Sequence, residues 1–481
     1  MSIAKNYMYT VMYQITILII PIITIPYVSR VLGSNGIGIN AYTNSIIQYF
    51  ILLGTIGISL YGNRQVAYVR DNKNNLSITF WSIFSLKFIT TLISYVLFLI
   101  FLSMVEKYHT IFLIQSIYII AAAVDISWLY MGLEDFKKTV LRNLLVKVVG
   151  VICTFIFVNT TDDLWKYVLI LSLSQLLGNL SLWYYLPRTI NKVKVTWCDI
   201  IKHIKPSISL FIPQIAIQVY VVLNKIMLGL LSTPSEVGYF DNADKIVKIV
   251  MSLATSVGIV MLPRVSNTFA RGDMKQVKNY VYKSLDFVSY LAFPLMFGLA
   301  AIAGQFAPWF FGQEFSKTGI LMVIISPIIV IIAWSNVLGN QFLMPIGKVK
   351  GYTVSVIIGA IINFILNLLL IPYLQSIGTA IASVLAELTV TIVQMYLVRN
   401  DLQILVLFKS VWKYLLSGLV MFIVIMSIDA FISFGIGTMI VQILLGITIY
   451  ILMLFILNSQ LNKKLFIFGI STVSKMIRLK K

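Results

Sequence analysis

Long apolar runs recur along this chain, and few architectures accommodate them. A helix of about 20 residues spans the hydrocarbon core of a bilayer. Transmembrane barrel strands would be shorter and would alternate apolar with polar residues, and these runs do not alternate. We therefore predict an all-α, polytopic membrane protein with about 14 transmembrane helices. The runs fall at approximately 11–32, 41–62, 78–102, 111–132, 140–158, 167–187, 206–231, 242–263, 285–303, 319–344, 352–372, 376–398, 411–431 and 438–457.

The charge distribution supports a membrane location. Hydrophobic residues make up 59% of the chain and charged residues only 11%, whereas soluble domains are about a quarter charged. The net charge of +20 lies in short loops between the runs, so it indicates topology and contact with an anionic inner leaflet, and not nucleic-acid binding. With a cytoplasmic N-terminus, the outside loops hold few cations beyond Lys107 and Lys317. This asymmetry predicts that both termini are cytoplasmic.

An internal repeat organises the runs. Gln14, Gly38, Ile46 and Arg64 recur at an offset of two hundred as Gln214, Gly238, Ile246 and Arg264. Two six-helix lobes related by pseudo-two-fold symmetry would place a substrate site at their interface. The predicted organisation is 1–190 as the N-terminal lobe, 191–400 as the C-terminal lobe, 401–460 as helices 13 and 14, and 461–481 as a basic cytoplasmic tail.

Polar residues form two stripes inside predicted spans. Asn40, Asn44 and Gln48 share one helical face, and the offset of two hundred maps the last two onto Asp244 and Lys248. We predict that these stripes, with Lys245 beside the second, line a central cavity in which amides bind sugar hydroxyls and lysines bind phosphate. The alternative is that these residues cap helix ends at the outer interface.

Two proline-containing spans carry further polar candidates. Arg30 lies in the first span, and Gln214 and Lys225 lie in the seventh. Buried cations at these positions would bind an anionic ligand. The alternative is that both cations extend toward the outer surface.

Other charges within spans have a different pattern. Asp125 and Lys147 lie at similar depth in consecutive antiparallel spans, which predicts an ion pair inside one lobe, with a proton or ion relay as the alternative. Lys87 and Glu387 have no obvious sequence partner, and both are candidates for ion coupling.

The sequence lacks the motifs of ATP binding, zinc binding and nucleophilic catalysis. The chain has no glycine-rich phosphate loop ending in GKS or GKT, its two histidines have no zinc-type spacing, and no nucleophile has an evident histidine base. We therefore expect no catalytic residues, no metal, no cofactor and no enzymatic activity.

Seven stretches resemble the polysaccharide-transport flippases (Wzx type) of the MOP (multidrug, oligosaccharidyl-lipid, polysaccharide) superfamily. They cover most of the chain in the family's order. They are IPYVSRVLGSNGIGINAYTNSI at 25–46, DISWLYMGLEDFKKTVLRN at 125–143, IMLGLLSTPSEVGYFDNADKI at 226–246, LPRVSN at 262–267, FGQEF at 311–315, NQFLMPIGKVKGY at 340–352 and INFILNLLLIPYLQSIGTAIASVLAEL at 362–388.

The resemblance implies a two-lobed bundle that opens alternately to each side of a bacterial plasma membrane. It implies a cargo of undecaprenyl-diphosphate-linked oligosaccharide, flipped from the inner to the outer leaflet for capsule, exopolysaccharide or O-antigen assembly. It also implies coupling to a proton or sodium gradient. Arg30, Lys225, Lys245 and Lys248 are the candidate cations for the diphosphate. A monomer is expected, with the polysaccharide polymerase machinery as a candidate partner.

Three alternatives are distinguishable by sequence features. A lipid II-type flippase would show more arginines in the first, second and eighth spans. A MATE-like exporter would usually have twelve spans and fewer cytosolic charges. A membrane polysaccharide polymerase, which would be an enzyme, needs a large external loop, and no outside loop exceeds roughly 15 residues.

Overall fold

The computed structural model describes residues 3–429 and 435–467, with side chains described except at 3–19, 136, 141, 210, 212–217, 219–221, 259, 260 and 429. Within these ranges the chain is helical and contains no strand, so the all-α prediction is confirmed. The chain divides into two compact units, which are unit 1, Met1–Gly238, and unit 2, Tyr239–Lys481. The division into lobes at residue 190 stays a prediction.

Unit 1 contains eleven complete helices and the first residues of a twelfth. Two 3₁₀ segments, Thr161–Asp163 and Leu182–Tyr185, connect some of them. The helices are α1 (Ile3–Thr55), α2 (Ile58–Val69), α3 (Lys73–Ser103), α4 (His109–Gln115), α5 (Ile117–Ala123), α6 (Ser127–Gly132), α7 (Phe136–Phe157), α8 (Leu164–Ser181), α9 (Leu186–Thr189), α10 (Trp197–Ile201) and α11 (Ile204–Leu231).

Unit 2 begins within α12 and continues to the last of the described residues. It includes a 3₁₀ segment, Gln313–Phe315, and a π-helix, Asn336–Leu343. Its helices are α12 (Pro234–Thr255), α13 (Val257–Ala270), α14 (Met274–Phe311), α15 (Ser316–Ile325), α16 (Ile328–Ser335), α17 (Val349–Val398), α18 (Ile404–Leu407), α19 (Val411–Asp429) and α20 (Ile436–Ile456).

The two longest helices each contain a break. A helix of 53 residues, the length of α1, would extend about 80 Å, more than twice the hydrocarbon thickness. Gly33, with φ 66° and ψ 179°, interrupts α1, and Gln375, with φ 51° and ψ −127°, interrupts α17. Each helix therefore supplies two segments, in agreement with the separate apolar runs predicted on either side of each break.

The predicted fourth span is less regular than its apolar pattern indicates. The structure divides residues 109–132 into α4, α5 and α6. The Asp125 carboxylate accepts hydrogen bonds from the backbone N–H and the hydroxyl of Ser127, the first residue of α6. Such local side-chain bonds compete with the helical pattern and start a new helix.

Aromatic side chains pack the interior of unit 1. Phe80 and Trp128 stack with ring centroids 5.4 Å apart, and both are buried. Gly62 lies against the Trp128 ring, where an added Cβ would approach within 2.6 Å. This packing joins α2, α3 and α6. Lys87 lies on α3, and α6 begins two residues after Asp125.

The described residues include nine helices that are long and apolar enough to cross a membrane, or ten if the bent pair Gln313–Ile325 and Ile328–Leu343 forms one span. Two of the nine contain the breaks described above, namely Ile20–Val69, which covers most of α1 together with α2, and Val349–Val398, which is α17. The polytopic character is confirmed, and the count of 14 stays a prediction. Most of the predicted tail, 461–481, lies outside the described residues.

Candidate functional site

Two ion pairs occupy one stretch of α12. The Lys245 Nζ lies 2.5 Å from the Asp241 Oδ2, and the Lys248 Nζ lies 2.7 Å from the Asp244 Oδ2. Each pair is spaced four residues apart with the acid nearer the N-terminus, which is the favourable orientation on a helix. Each of the two predicted phosphate-binding lysines therefore already has a counter-ion in the described structure.

The two kinds of charge on α12 differ in exposure. The Asp241 side chain is 4% exposed and that of Asp244 is 15% exposed, whereas Lys245 and Lys248 are 41% and 43% exposed. An ammonium has three N–H donors, so a single carboxylate leaves donors for another oxygen. Because Lys245 and Lys248 are three residues apart, they are neighbours on the helix surface. This arrangement allows both to bind one anionic group.

Of the three amide side chains on α1 that were predicted to bind sugar, one already has a hydrogen-bond partner within the protein. The Gln115 side-chain N–H donates to the Asn40 side-chain oxygen at 3.0 Å and to its backbone carbonyl at 3.3 Å. Gln115 is buried, so Asn40 takes part in the packing of unit 1. Asn44 is half-buried and Gln48 is exposed, and these two keep their predicted role as sugar-binding candidates.

The remaining predicted substrate residues lie on two helices of unit 1. Arg30 is exposed on α1, one turn before the break at Gly33, and Lys225 is half-buried on α11. The side chain of Gln214 lies outside the described residues. A cavity that joins these residues to α12 stays a prediction.

Asp125 has a different partner from the one predicted. The Lys87 Nζ donates to the Asp125 backbone carbonyl at 2.7 Å and lies 3.9 Å from its carboxylate Oδ2. Lys87 is completely buried. Within the described residues, Asp125 thus takes Lys87 and not Lys147 as its ionic partner. Depth along two helices was the basis of the prediction, and depth does not establish which lysine faces the acid.

Lys147 lines a cavity whose lining includes neither Asp125 nor Lys87. It is half-buried in α7 and contributes to the lining of a cavity of about 250 Å³ within unit 1. The lining also includes Thr24, Tyr118, Thr154, Tyr167, Ser174 and Gln175. Hydroxyl and amide groups around an ammonium suit a polar ligand or ordered water.

Glu387 is half-buried in α17, where its backbone carbonyl accepts a hydrogen bond from the Thr391 hydroxyl. A coupling role for Glu387, Asp125, Lys87 or Lys147 stays a prediction.

Sequence reasoning missed Gln115, and it did not predict that Asp241 and Asp244 pair with the two lysines. Gln115 carried no signal, because its distance from Asn40 along the chain is 75 residues. The aspartates did carry one, since Asp241 and Asp244 each precede a lysine by four residues.

Comparison with known proteins places these features in a family context. The family described as "Polysaccharide biosynthesis protein" matches residues 3–269. A putative O-antigen transporter of Escherichia coli (strain K12) is 25% identical over 406 residues, which cover 83% of this chain and 98% of that protein. A probable low-salt glycan biosynthesis flippase, Agl15 of Haloferax volcanii, is 21% identical over 195 residues, covering 40% of this chain and 41% of Agl15.

A solved structure shows the same fold. The lipid II flippase MurJ in an inward closed conformation superposes with a TM-score of 0.77 at 17% identity, covering 95% of this chain and 99% of that one. At this level of identity the likeness concerns the arrangement of the backbone. The α12 lysines and their aspartates therefore lie in a backbone arrangement that this chain shares with MurJ.

Proposed function

The chain belongs to the polysaccharide biosynthesis protein family, and from this we propose that it flips lipid-linked oligosaccharide across a membrane. The observation that carries the proposal is the match to an O-antigen transporter over 98% of that protein's length. The match to a glycan biosynthesis flippase supports the same activity. The relatives are a transporter and a flippase, so we propose transport and not catalysis.

The cargo that fits the α12 charges is a lipid diphosphate bearing sugars. Lys245 and Lys248 present ammonium donors from one helix face, and charge-assisted bonds to phosphate oxygens are stronger than neutral ones. In our proposal the cargo is an undecaprenyl-diphosphate-linked repeat unit that moves from the inner to the outer leaflet of a bacterial plasma membrane. Half-buried amides such as Asn44 would bind its sugar hydroxyls.

Binding would proceed by exchange of counter-ions. In the described state each lysine is neutralised by an aspartate one turn away. An arriving diphosphate would take over part of that neutralisation without transferring the lysines to a charge-free environment. Alternating access, driven by a proton or sodium gradient, would then expose the cargo to the outer leaflet. We further propose that a monomer acts, with both termini in the cytoplasm and the polymerase machinery as its downstream partner.

The test is deletion of the gene, followed by quantification of lipid-linked intermediates in each leaflet and of surface polysaccharide. The proposal predicts repeat units on undecaprenyl diphosphate trapped on the inner face, with no surface polymer. Re-expression of the wild-type chain should restore the polymer. Mass analysis of the trapped lipid identifies its sugars.

Other outcomes point to specific alternatives. Accumulation of lipid II would indicate the lipid II-type flippase. Unpolymerised units already on the outer face would place the defect after flipping and support a polymerase. Unchanged intermediates combined with sensitivity to small toxic compounds would support a MATE-like exporter.

A further inference from the structure

A second basic site lies in unit 2, between α13 and the N-terminal part of α14. It is a pocket of about 540 Å³, within the range typical of small-ligand sites. Its lining includes Met261, Arg264, Tyr280, Lys283, Ser284 and Phe287. This α13–α14 pocket is separate in sequence from Lys245 and Lys248.

The α13–α14 pocket has two cations and no acid in its lining. Arg264 and Lys283 are both exposed, and within the described ranges neither side chain has an ion pair. Two like charges that face one concave space repel each other, and an anion between them would relieve that repulsion. Because α12 supplies aspartates to its lysines and the lining of this pocket contains none, an external anion would not compete with a carboxylate of the lining in the α13–α14 pocket.

The floor of the pocket is fixed by buried hydrogen bonds. The Ser284 hydroxyl donates to the Gln341 side-chain oxygen at 2.6 Å, and the Gln341 N–H donates to the Asn336 side-chain oxygen at 3.2 Å. Gln341 is 1% exposed and lies in the π-helix. The pocket therefore exists before any ligand arrives, which lowers the cost of binding.

The position of the pocket along α14 indicates what occupies it. With 38 residues, α14 extends about 57 Å, well beyond the roughly 30 Å hydrocarbon core. Its first part carries Lys275, Lys278 and Lys283, and the apolar residues follow. Basic residues at the end of a span mark the headgroup level. The pocket thus combines a cationic rim at headgroup depth with apolar walls from Met261 and Phe287.

We propose that the α13–α14 pocket binds the phosphate headgroup of an anionic phospholipid, with the acyl chains lying along Met261 and Phe287. Basic pockets between helices at the cytoplasmic surface suit this class of ligand. Phospholipid is the bulk component at this depth, so mass action favours it over a scarce lipid-linked cargo. The proposal concerns lipid retention, and it holds or fails independently of the proposed transport activity.

The test uses the full-length chain purified in a neutral detergent and titrated with phosphatidylglycerol, with phosphatidylcholine as the uncharged comparison. Bound lipid is counted by native mass spectrometry. We expect retention of phosphatidylglycerol over phosphatidylcholine in the wild type, and apparent affinity for phosphatidylglycerol about tenfold weaker or more in R264Q/K283Q. The matched control K275Q/K278Q removes two charges from the same helix outside the pocket lining and should retain the lipid.

Three results would overturn the proposal. Equal loss in both double variants would mean general surface attraction, and equal retention of the two lipids by the wild type would mean no anion selectivity. Displacement of phosphatidylglycerol by a prenyl diphosphate at far lower concentration would assign the pocket to cargo. If R264Q/K283Q fails to fold, K283Q alone provides the measurement, with an expected loss of several-fold.

Discussion

Gly38 and Gly238, which hold equivalent positions in the internal repeat, pack backbone against backbone within unit 1. A Cβ added to Gly38 would lie 1.6 Å from the Pro234 carbonyl oxygen, and one added to Gly238 would lie 2.2 Å from the Ser34 carbonyl oxygen. Residues 34 and 234 are themselves separated by the repeat offset. The contact is therefore reciprocal, as a local two-fold relation requires.

Replacement of Gly38 by alanine should destabilise the protein. The obstructing atoms are backbone, so the helices must move apart, and overpacking of this kind costs about 1–3 kcal/mol or more. Thermal unfolding of the purified protein measures the effect. Gly304→Ala is the control, because nothing lies within 4 Å of a Cβ at that helical glycine. Equal melting temperatures for the two variants would contradict the close contact.

Loss of either partner of the Lys87–Asp125 pair should be costly. Lys87→Met leaves the Asp125 carboxylate without its ammonium, and breaking a buried pair costs about 3–5 kcal/mol. The double variant Lys87→Met/Asp125→Asn should be more stable than the sum of the two single losses predicts, as a double-mutant cycle of unfolding would reveal. Lys202→Met, which removes the exposed partner of Asp199, should change stability little. Strict additivity would exclude a coupled pair.

Neutralisation of the α12 lysines should block export without preventing membrane insertion. Lys245→Gln/Lys248→Gln removes the proposed phosphate donors, and we expect surface polysaccharide, normalised to inserted protein, to fall at least about tenfold. Asp241→Asn/Asp244→Asn keeps both proposed phosphate donors and should reduce export less than the lysine variant does, because it affects the return of the empty carrier and not the binding of the diphosphate. Normal polysaccharide output from a well-expressed lysine variant would refute the placement of the cargo on α12.

Acidification should destabilise the protein through His203, which lies outside the candidate spans. His203 is 5% exposed, and its Nδ1 lies 2.7 Å from the Tyr61 hydroxyl. Burial, aided by the charge of Lys202 and opposed by Asp199, lowers the pKa of His203 to about 4. The unfolded chain therefore takes up a proton first as pH falls below about 6.5, and up to about 3 kcal/mol of stability is lost between pH 6.5 and 4.

The measurement is the pH dependence of unfolding for wild type, His203→Gln and His109→Gln. His203→Gln should flatten the curve over this interval. His109 is exposed, so its replacement should leave the curve unchanged. A curve that is the same for all three proteins would show that His203 titrates normally.

Most of the long helices were predictable from the sequence because each is marked by a long, continuous run of apolar residues. The break in α1 falls at Gly33, between the predicted runs 11–32 and 41–62, where glycine tolerates a positive φ. The break in α17 was also anticipated between runs, although Gln375 adopts the positive φ there.

The ionic partner of a charged residue was harder to predict from the sequence than the helix on which that residue lies. The sequence pattern pointed to Lys147 as the partner of Asp125, whereas the structure places Lys87 beside it within unit 1. Depth along a helix gives one coordinate, while contact also depends on which helices are neighbours and how each is rotated. The acids of α12 were visible at a spacing of four, and only the structure shows that they are more buried than Lys245 and Lys248.

If the proposed function holds, the aspartates of α12 also affect the free energy of the empty carrier. On the proposed function, the protein must reset after each delivery with no diphosphate on its lysines. An ammonium without a counter-ion would face a desolvation penalty in that step. Asp241 and Asp244 travel on the same helix as Lys245 and Lys248, so the return stroke moves no uncompensated charge. In the empty carrier the two carboxylates thus neutralise the lysines in place of the diphosphate, so the return to the inward-facing state does not require a bound ligand.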